Sequence, residues 1–218
     1  MTSLKMCAYN LIKEKILSCE YPPNSFINEH EIMNELDTSR TPIREALSML
    51  EQEGFVTIIP KKGVLVKGLT LKTVNQLFEA RLLFEPFIIE KYMEYIDIDM
   101  LQEIRKKTIT AIHTEPTAKP EVFAQLDDRF HRLIVATCRN DYFIDMLNFT
   151  SDQNQRIRIL TKMDLLKRHI VAAKEHISII DDILKGDVIS ASAKMRQHLE
   201  SAQKTALLNL GHRDFSFQ

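Results

Sequence analysis

The feature that most limits what this chain can become is a long run of helical periodicity almost without glycine. From Leu71 onward apolar residues recur with a period near 3.6, and glycine nearly disappears. Five glycines in 218 residues, alongside many Leu, Ile, Lys and Glu, favour a mostly helical protein. The spacing predicts helices near 71–95 (kinked at Pro86), 97–113, 120–138, 141–162, 164–185 and 187–210. A Pro/Thr linker is expected at 114–120.

The first seventy residues follow a different pattern. Apolar residues at Leu4, Ala8, Leu11, Ile12, Ile16 and Cys19 give a helix over about 5–19, broken by Tyr21-Pro22-Pro23-Asn24. A short helix fits 29–36, followed by an Asp37-Thr38-Ser39 turn. A third helix runs from Arg40 or Pro42 to Glu53, capped by Ser39 or Thr41, with Ile43, Ala46, Leu47 and Leu50 facing inward. After Gly54 the runs Phe55–Ile59 and Val64–Val66, joined by Pro60-Lys61-Lys62-Gly63, read as a β-hairpin. Three helices and a hairpin make a winged helix-turn-helix. The expected architecture is therefore mostly α: a winged helix-turn-helix at 1–69, then an all-α antiparallel bundle at 70–218.

In a helix-turn-helix the second helix enters the major groove with its first residues foremost. Here those residues are Ser39, Arg40, Thr41 and Arg44. Arginine can make two hydrogen bonds to guanine, and hydroxyls reach phosphate. Lys61 and Lys62 at the hairpin tip suit phosphate, and Gly63 lets the backbone approach. A pair of arginines alone is more often a solvated helix face. Residues 1–69 carry a net charge of −1, so composition does not reveal a basic domain. The string Leu36-Asp37-Thr38-Ser39-Arg40-Thr41-Pro42-Ile43-Arg44-Glu45-Ala46-Leu47, then Leu50-Glu51-Gln52-Glu53-Gly54-Phe55-Val56, closely resembles the GntR family of regulators. The resemblance implies that Arg40, Thr41, Arg44 and Gly63 touch DNA. Two positions depart from it. His30 stands where relatives often carry arginine, and Asp37 replaces the usual turn glycine, a change Asp tolerates better than most residues.

The helical half carries a second constellation. Asp127 and His131 are four apart and share an interior face with Phe123 and Ile134. His176 lies among Ile179, Ile180 and Ile183, and His198 among Ala191, Met195 and Ala202. Gly186-Asp187 marks a turn, with His176 ten residues before Gly186 and His198 twelve after it. In an antiparallel hairpin they stand level, roughly 15 and 18 Å from the turn. Three imidazoles and a carboxylate in a bundle interior suit a divalent metal: Zn, Ni, Mn or Fe. One buried His is more often a hydrogen-bonded core residue, and a D-x-x-x-H pair alone is a weak signal. Four such residues are harder to dismiss. His30, His113, His169 and His212 fit no such pattern and read as surface or structural.

This spacing, with Glu175-His176, Gly186-Asp187 and His198-Leu199, resembles the metal-binding subset of the FCD ligand-binding domain. The resemblance implies a small carboxylate effector held beside the metal. Arg81 faces inward with Leu77, Phe78, Phe84 and Ile88. A buried guanidinium needs an anion. Glu85, one turn on, can supply it, whereas the resemblance assigns Arg81 to the effector; both readings stand.

The expected function is a dimeric transcription regulator that binds a palindromic double-stranded operator and answers to a small organic acid, with no membrane partner. The rival readings are a metal-dependent hydrolase-like enzyme, for which no general base is evident beside the cluster, and a regulator with a purely structural metal. Three cysteines without a CxxC pair suit a reducing cytoplasm, and no run is long and apolar enough to cross a membrane.

Overall fold

A computed structural model describes residues 3–114, 120–160 and 165–211, without the side chains of 165–167. The chain divides into two compact units, Met1–Thr70 and Leu71–Gln218. Part of the expected 114–120 linker, and His212, lie outside the described residues.

In the first unit, α1 (Leu4–Leu17) is capped by Ser3, whose hydroxyl accepts from the Met6 amide. Its buried stripe Ala8, Ile12 and Ile16 packs on α3. The helix stops two residues before Cys19, which turns into the left-handed region at φ 58°. Helix α2 (Glu29–Glu35) starts at Asn28 and α3 (Arg40–Gln52) at Ser39. Ser39 occupies the cap position without a side-chain cap bond. Ile32, Ile43, Ala46, Leu47 and Leu50 are buried, so the 3.6-residue period of α3 points one stripe into the core. Asp37 holds the intervening turn at φ 44°.

The hairpin consists of β2 (Val56–Ile59) and β3 (Gly63–Val66), with Val56 opposite Val66 and Ile59 opposite Gly63. Gly63 has φ 116°, outside the range of ordinary L-residues. One strand had no sequence signal: β1 (Phe26–Ile27), too short for any alternation, pairs antiparallel with β3 and gives the sheet order β1-β3-β2.

The second unit is helical: α4 (Leu71–Tyr92), a 3₁₀ turn (Met93–Tyr95), α5 (Ile98–His113), α6 (Pro120–Thr137), α7 (Asp141–Leu160), α8 (Leu165–Lys185) and α9 (Val188–Gly211). Pro86 lies inside α4, which continues to Tyr92. Helices α4 and α9 pack along much of their length, and α8 and α9 form the expected hairpin around Gly186 at φ 76°. One core joins Ile88 and Ile89 of α4, Phe130 and Ile134 of α6, Leu147 of α7, Ile179 and Ile180 of α8 and Met195 and Leu199 of α9.

A left-handed backbone costs an L-residue about 1–2 kcal/mol, less for Asp. Asp37→Gly is therefore expected to hold or raise stability by up to ~1 kcal/mol, whereas Asp37→Val lowers it by about 1–2 kcal/mol. Urea denaturation of both variants checks this.

Candidate functional site

The bundle core is interrupted at one level by polar side chains from four helices. Asp127 and His131 come from α6, His176 from α8 and His198 from α9, and their candidate ligand atoms lie within 4.8 Å of one another. Arg81 and Glu85 of α4 stand beside them. All three histidines are buried. Phe130 packs against two of the rings, with centroids 4.6 Å from His176 and 5.2 Å from His131.

The hydrogen bonds around the rings determine what they can do. His131 Nδ1 donates to Glu85 Oε2 at 2.5 Å, and His198 Nδ1 donates to Glu175 Oε2 at 2.7 Å. A carboxylate only accepts, so in both rings the proton sits on Nδ1, and the neutral ring leaves Nε2 with a bare lone pair. Those lone pairs meet. His131 Nε2 is 3.2 Å from His198 Nε2, and His176 Nε2 is 3.1 Å from the same atom. Asp127 Oδ1 lies 3.8 Å from His176 Nε2. The His131 and His198 lone pairs repel at this range unless a cation or a ring proton lies between them, whereas His176, whose tautomer no carboxylate fixes, can donate from Nε2 to His198. The donor set, imidazole nitrogens and one carboxylate, is that of a divalent transition metal, and carboxylates behind ligating histidines are the usual support for one. The residues therefore fit the metal that their spacing suggests.

Each supporting carboxylate is itself held by an arginine. Arg81 Nε donates to Glu85 Oε1 at 2.6 Å, with both side chains at 3% exposure or less. Arg168 donates to Glu175 at 3.2 Å. Two Arg–Glu–His relays thus approach the centre from α4 and from α8. A third arginine, Arg158 of α7, donates to Asp127 and lies 3.7 Å from Asp128. The charges fall accordingly. Burial alone would raise the Glu85 carboxyl, but Arg81 and His131 outweigh it and hold it at about 2. Asp127 is opposed by burial in the same way, and Arg158 with the three imidazoles holds it far below the carboxylate range. His176 falls well below the ordinary imidazole range, through burial and then His198. Burial lowers His198 too, despite Glu175. Both shifts favour the neutral ring that binds metals.

A cavity of about 90 Å³ opens beside the cluster, lined by Arg81, Asp127, Arg158, Arg168, His169 and His198 among others. Arg81 pairs with Glu85, as one of its two readings holds, and also lines the cavity. His169, read from the sequence as surface or structural, faces this space and stacks near Phe123, centroids 6.4 Å apart. Spacing could not reveal Arg158, Arg168 or the role of Glu175. Each matters through a neighbour on another helix or a full two turns away.

The residues expected at DNA all belong to the first unit. Ser39, Arg40, Thr41, Arg44, Lys61 and Lys62 are exposed, and Gly63 is half-buried. Arg44, Lys61, Lys62 and Gly63 line a common groove between α3 and the hairpin, with Glu29 of α2. Glu29 Oε2 lies 3.5 Å from Arg40 Nε and 3.4 Å from Arg44 Nε, and His30 Nε2 lies 3.2 Å from an Arg40 terminal nitrogen.

Removing Glu85 leaves Arg81 buried without its carboxylate, so Glu85→Gln is expected to cost about 3–5 kcal/mol in urea denaturation. The sign with pH follows from the lowered carboxyl. Its stabilisation is complete above the ordinary value of 4.5 and is lost as pH falls toward about 2. The variant should therefore lose less stability than the parent as pH falls from above 4.5 toward about 2.

Comparison with known proteins agrees with both units. Residues 5–66 match the family described as bacterial regulatory proteins, gntR family, and residues 76–201 match the FCD domain family. The HTH-type transcriptional regulator YdhC of Bacillus subtilis (strain 168) is 26% identical over 193 residues, 87% of this chain and 85% of that protein. A GntR regulator from Rhodococcus sp. RHA1 shares the fold, with a TM-score of 0.81 at 18% identity, covering 97% of this chain and all of that one. The Zn²⁺-bound FCD domain of TM0439 is 25% identical, with a TM-score of 0.56 over 66% of this chain and 97% of that domain. These relatives are transcriptional regulators and not enzymes. No described helix is long and apolar enough to cross a membrane. With a gntR-type winged head at its N-terminus and an FCD domain over more than half its length, the chain belongs to the GntR family of DNA-binding transcription regulators, in its FCD branch.

Proposed function

We propose that this regulator binds its operator as a homodimer and that a small carboxylate, held beside a divalent metal in the second unit, sets its operator affinity. The observation that carries this reading is the pair of bare Nε2 lone pairs 3.2 Å apart, each fixed by a carboxylate behind it and opening beside an arginine-lined cavity. Asp127, His131, His176 and His198 hold the metal: zinc, nickel or manganese. That the related FCD domain of TM0439 is known with Zn²⁺ supports the assignment. When bound, such an ion supplies positive charge and open coordination positions for a carboxylate oxygen.

The chain's own residues select the ligand. Arg81, Arg158 and Arg168 line the cavity, paired with Glu85, Asp127 and Glu175, and the charge of a bound metal would tip the balance toward an anion. Arg81 is engaged through Nε with Glu85, so its outer nitrogens are the ones available to an effector. The space is about 90 Å³, and charged and polar side chains line it near the cluster. Its arginines suit a small organic acid better than a sugar or an apolar molecule. Zn²⁺ titration and thermal shift against a panel of small carboxylates, each with and without metal, test the reading. Acids should raise the melting temperature of metal-loaded protein and leave metal-stripped protein unmoved. Equal shifts in both would refute a metal-held effector. His176→Ala should lose metal and the effector response while keeping basal operator binding. A folded His176→Ala protein that no longer binds DNA would mean that metal is required for operator binding itself.

At the operator, Ser39, Arg40, Thr41 and Arg44 enter the major groove and Lys61, Lys62 and Gly63 meet phosphate. One head covers only a half-site, so a palindrome read by a two-fold dimer follows. Arg44→Ala should weaken operator binding by about 1–3 kcal/mol and relax base preference. Gel shifts with Arg40→Ala, Arg44→Ala protein check the assignment, and undiminished binding overturns it. Binding of effector and operator must be coupled reciprocally, by a typical ~1–3 kcal/mol. Sedimentation at micromolar concentration should find a dimer.

A further inference from the structure

One carboxylate stands among the groups proposed to meet DNA, where a negative charge is electrostatically unwelcome. Glu29 opens α2, in the first turn after the Asn28 cap, where the helix dipole favours an anion. Its side chain is 19% exposed, and its Oε2 is shared by Arg40 and Arg44, one turn apart on α3. Those arginines are 47% and 65% exposed, and ion pairs this open contribute little to stability. Fold stability therefore does not explain the arrangement. The atoms in contact do. Both arginines approach Glu29 through Nε, the inner nitrogen. For Arg40, one terminal nitrogen is then met by His30 Nε2 at 3.2 Å. For Arg44, neither terminal nitrogen has a partner among the described residues. Two terminal nitrogens presented together are what a bidentate contact to guanine O6 and N7 uses.

We infer that Glu29 is a positioning residue for sequence readout: it braces the two arginines by their Nε atoms and presents the Arg44 fork end-on to a guanine. This rests on the DNA-reading assignment of α3. An arginine braced in advance loses less rotamer freedom on meeting a base, and that gain is realised only at the right base. On random DNA, removing Glu29 does the opposite, because it deletes a negative charge facing phosphates.

The opposed signs give the test. The full-length protein is first used to enrich its preferred duplex from a random library. Binding to that duplex and to an unrelated duplex of equal length is then measured for the parent, Glu29→Ala, Glu29→Gln and Arg44→Lys at fixed salt. With Glu29→Ala, affinity for the enriched duplex should fall about tenfold while affinity for the unrelated one holds or rises. Glu29→Gln, which keeps an acceptor for Nε–H, should fall between parent and Glu29→Ala. Arg44→Lys, which keeps the charge and loses the fork, should lose the same guanine preference. If Glu29→Ala strengthens binding to both duplexes by one factor, Glu29 merely repels DNA and the proposal falls. If it loses preference for a cytosine and keeps the guanine preference that Arg44→Lys abolishes, Glu29 reads a base itself, and the bracing role is again wrong. A parent protein that enriches no sequence would remove the DNA-reading assignment of α3, and this role with it. Should Glu29→Ala fail to fold, Glu29→Gln and Arg44→Lys carry the same comparison.

Discussion

Of the three imidazoles buried at one level of the helical bundle, two are fixed from their far side by carboxylates, and the arrangement of the centre depends on those two. Glu85 and Glu175 each accept a hydrogen bond from an Nδ1–H, and Arg81 and Arg168 in turn balance the charge of the carboxylates. The consequence is directional. Charge is balanced at the periphery, and unshared electron pairs are left at the centre. Without the two glutamates the rings would be free to present either nitrogen, and the cluster would have no defined donor set. The packing of α4, α6, α8 and α9 around Phe130, Ile134, Ile179 and Met195 holds those pairings at hydrogen-bond distance.

Periodicity made most of the architecture legible. The stripes Ile43–Ala46–Leu47–Leu50 and Ile179–Ile180–Ile183 are buried as their spacing implies, because a helix that faces a core must repeat every three or four residues. The level placement of His176 and His198 was equally readable, since a tight turn at Gly186 and a fixed rise per residue leave little freedom. The helix ends were less so. Cys19 continued the apolar pattern of α1 yet lies beyond it, in a left-handed conformation that hydrophobicity does not encode. Strand β1 escaped because two residues carry no period; its pairing is decided by β3, forty residues on.

The candidate centre was half legible. Residues on a common face declare themselves by spacing, as Asp127 with His131 and Arg81 with Glu85. Residues that meet only when helices pack do not. Glu175 lies next to His176 in sequence yet serves His198 across the hairpin. Arg158 reaches Asp127 from a helix whose buried face is unusually polar, with Asp152, Gln153, Asn154 and Arg156 all inside. Such a face violates the apolar pattern by which helices are found, and that violation was itself the available signal for a site.

The two-residue strand β1 has a consequence for how the head can meet a duplex. It ties the hairpin to the segment that leads into α2, so the wing is fastened on both sides, by β2 and by β1. A wing joined only to its own hairpin partner could swing to suit the DNA. A wing laced into a three-stranded sheet holds its tip at a set span from the start of α3. If the wing meets DNA as proposed, the duplex would have to adjust to that span. Sequences that bend or narrow easily at that span gain an advantage even where no side chain touches a base, and the stiffness of the intervening DNA becomes part of what the head recognises.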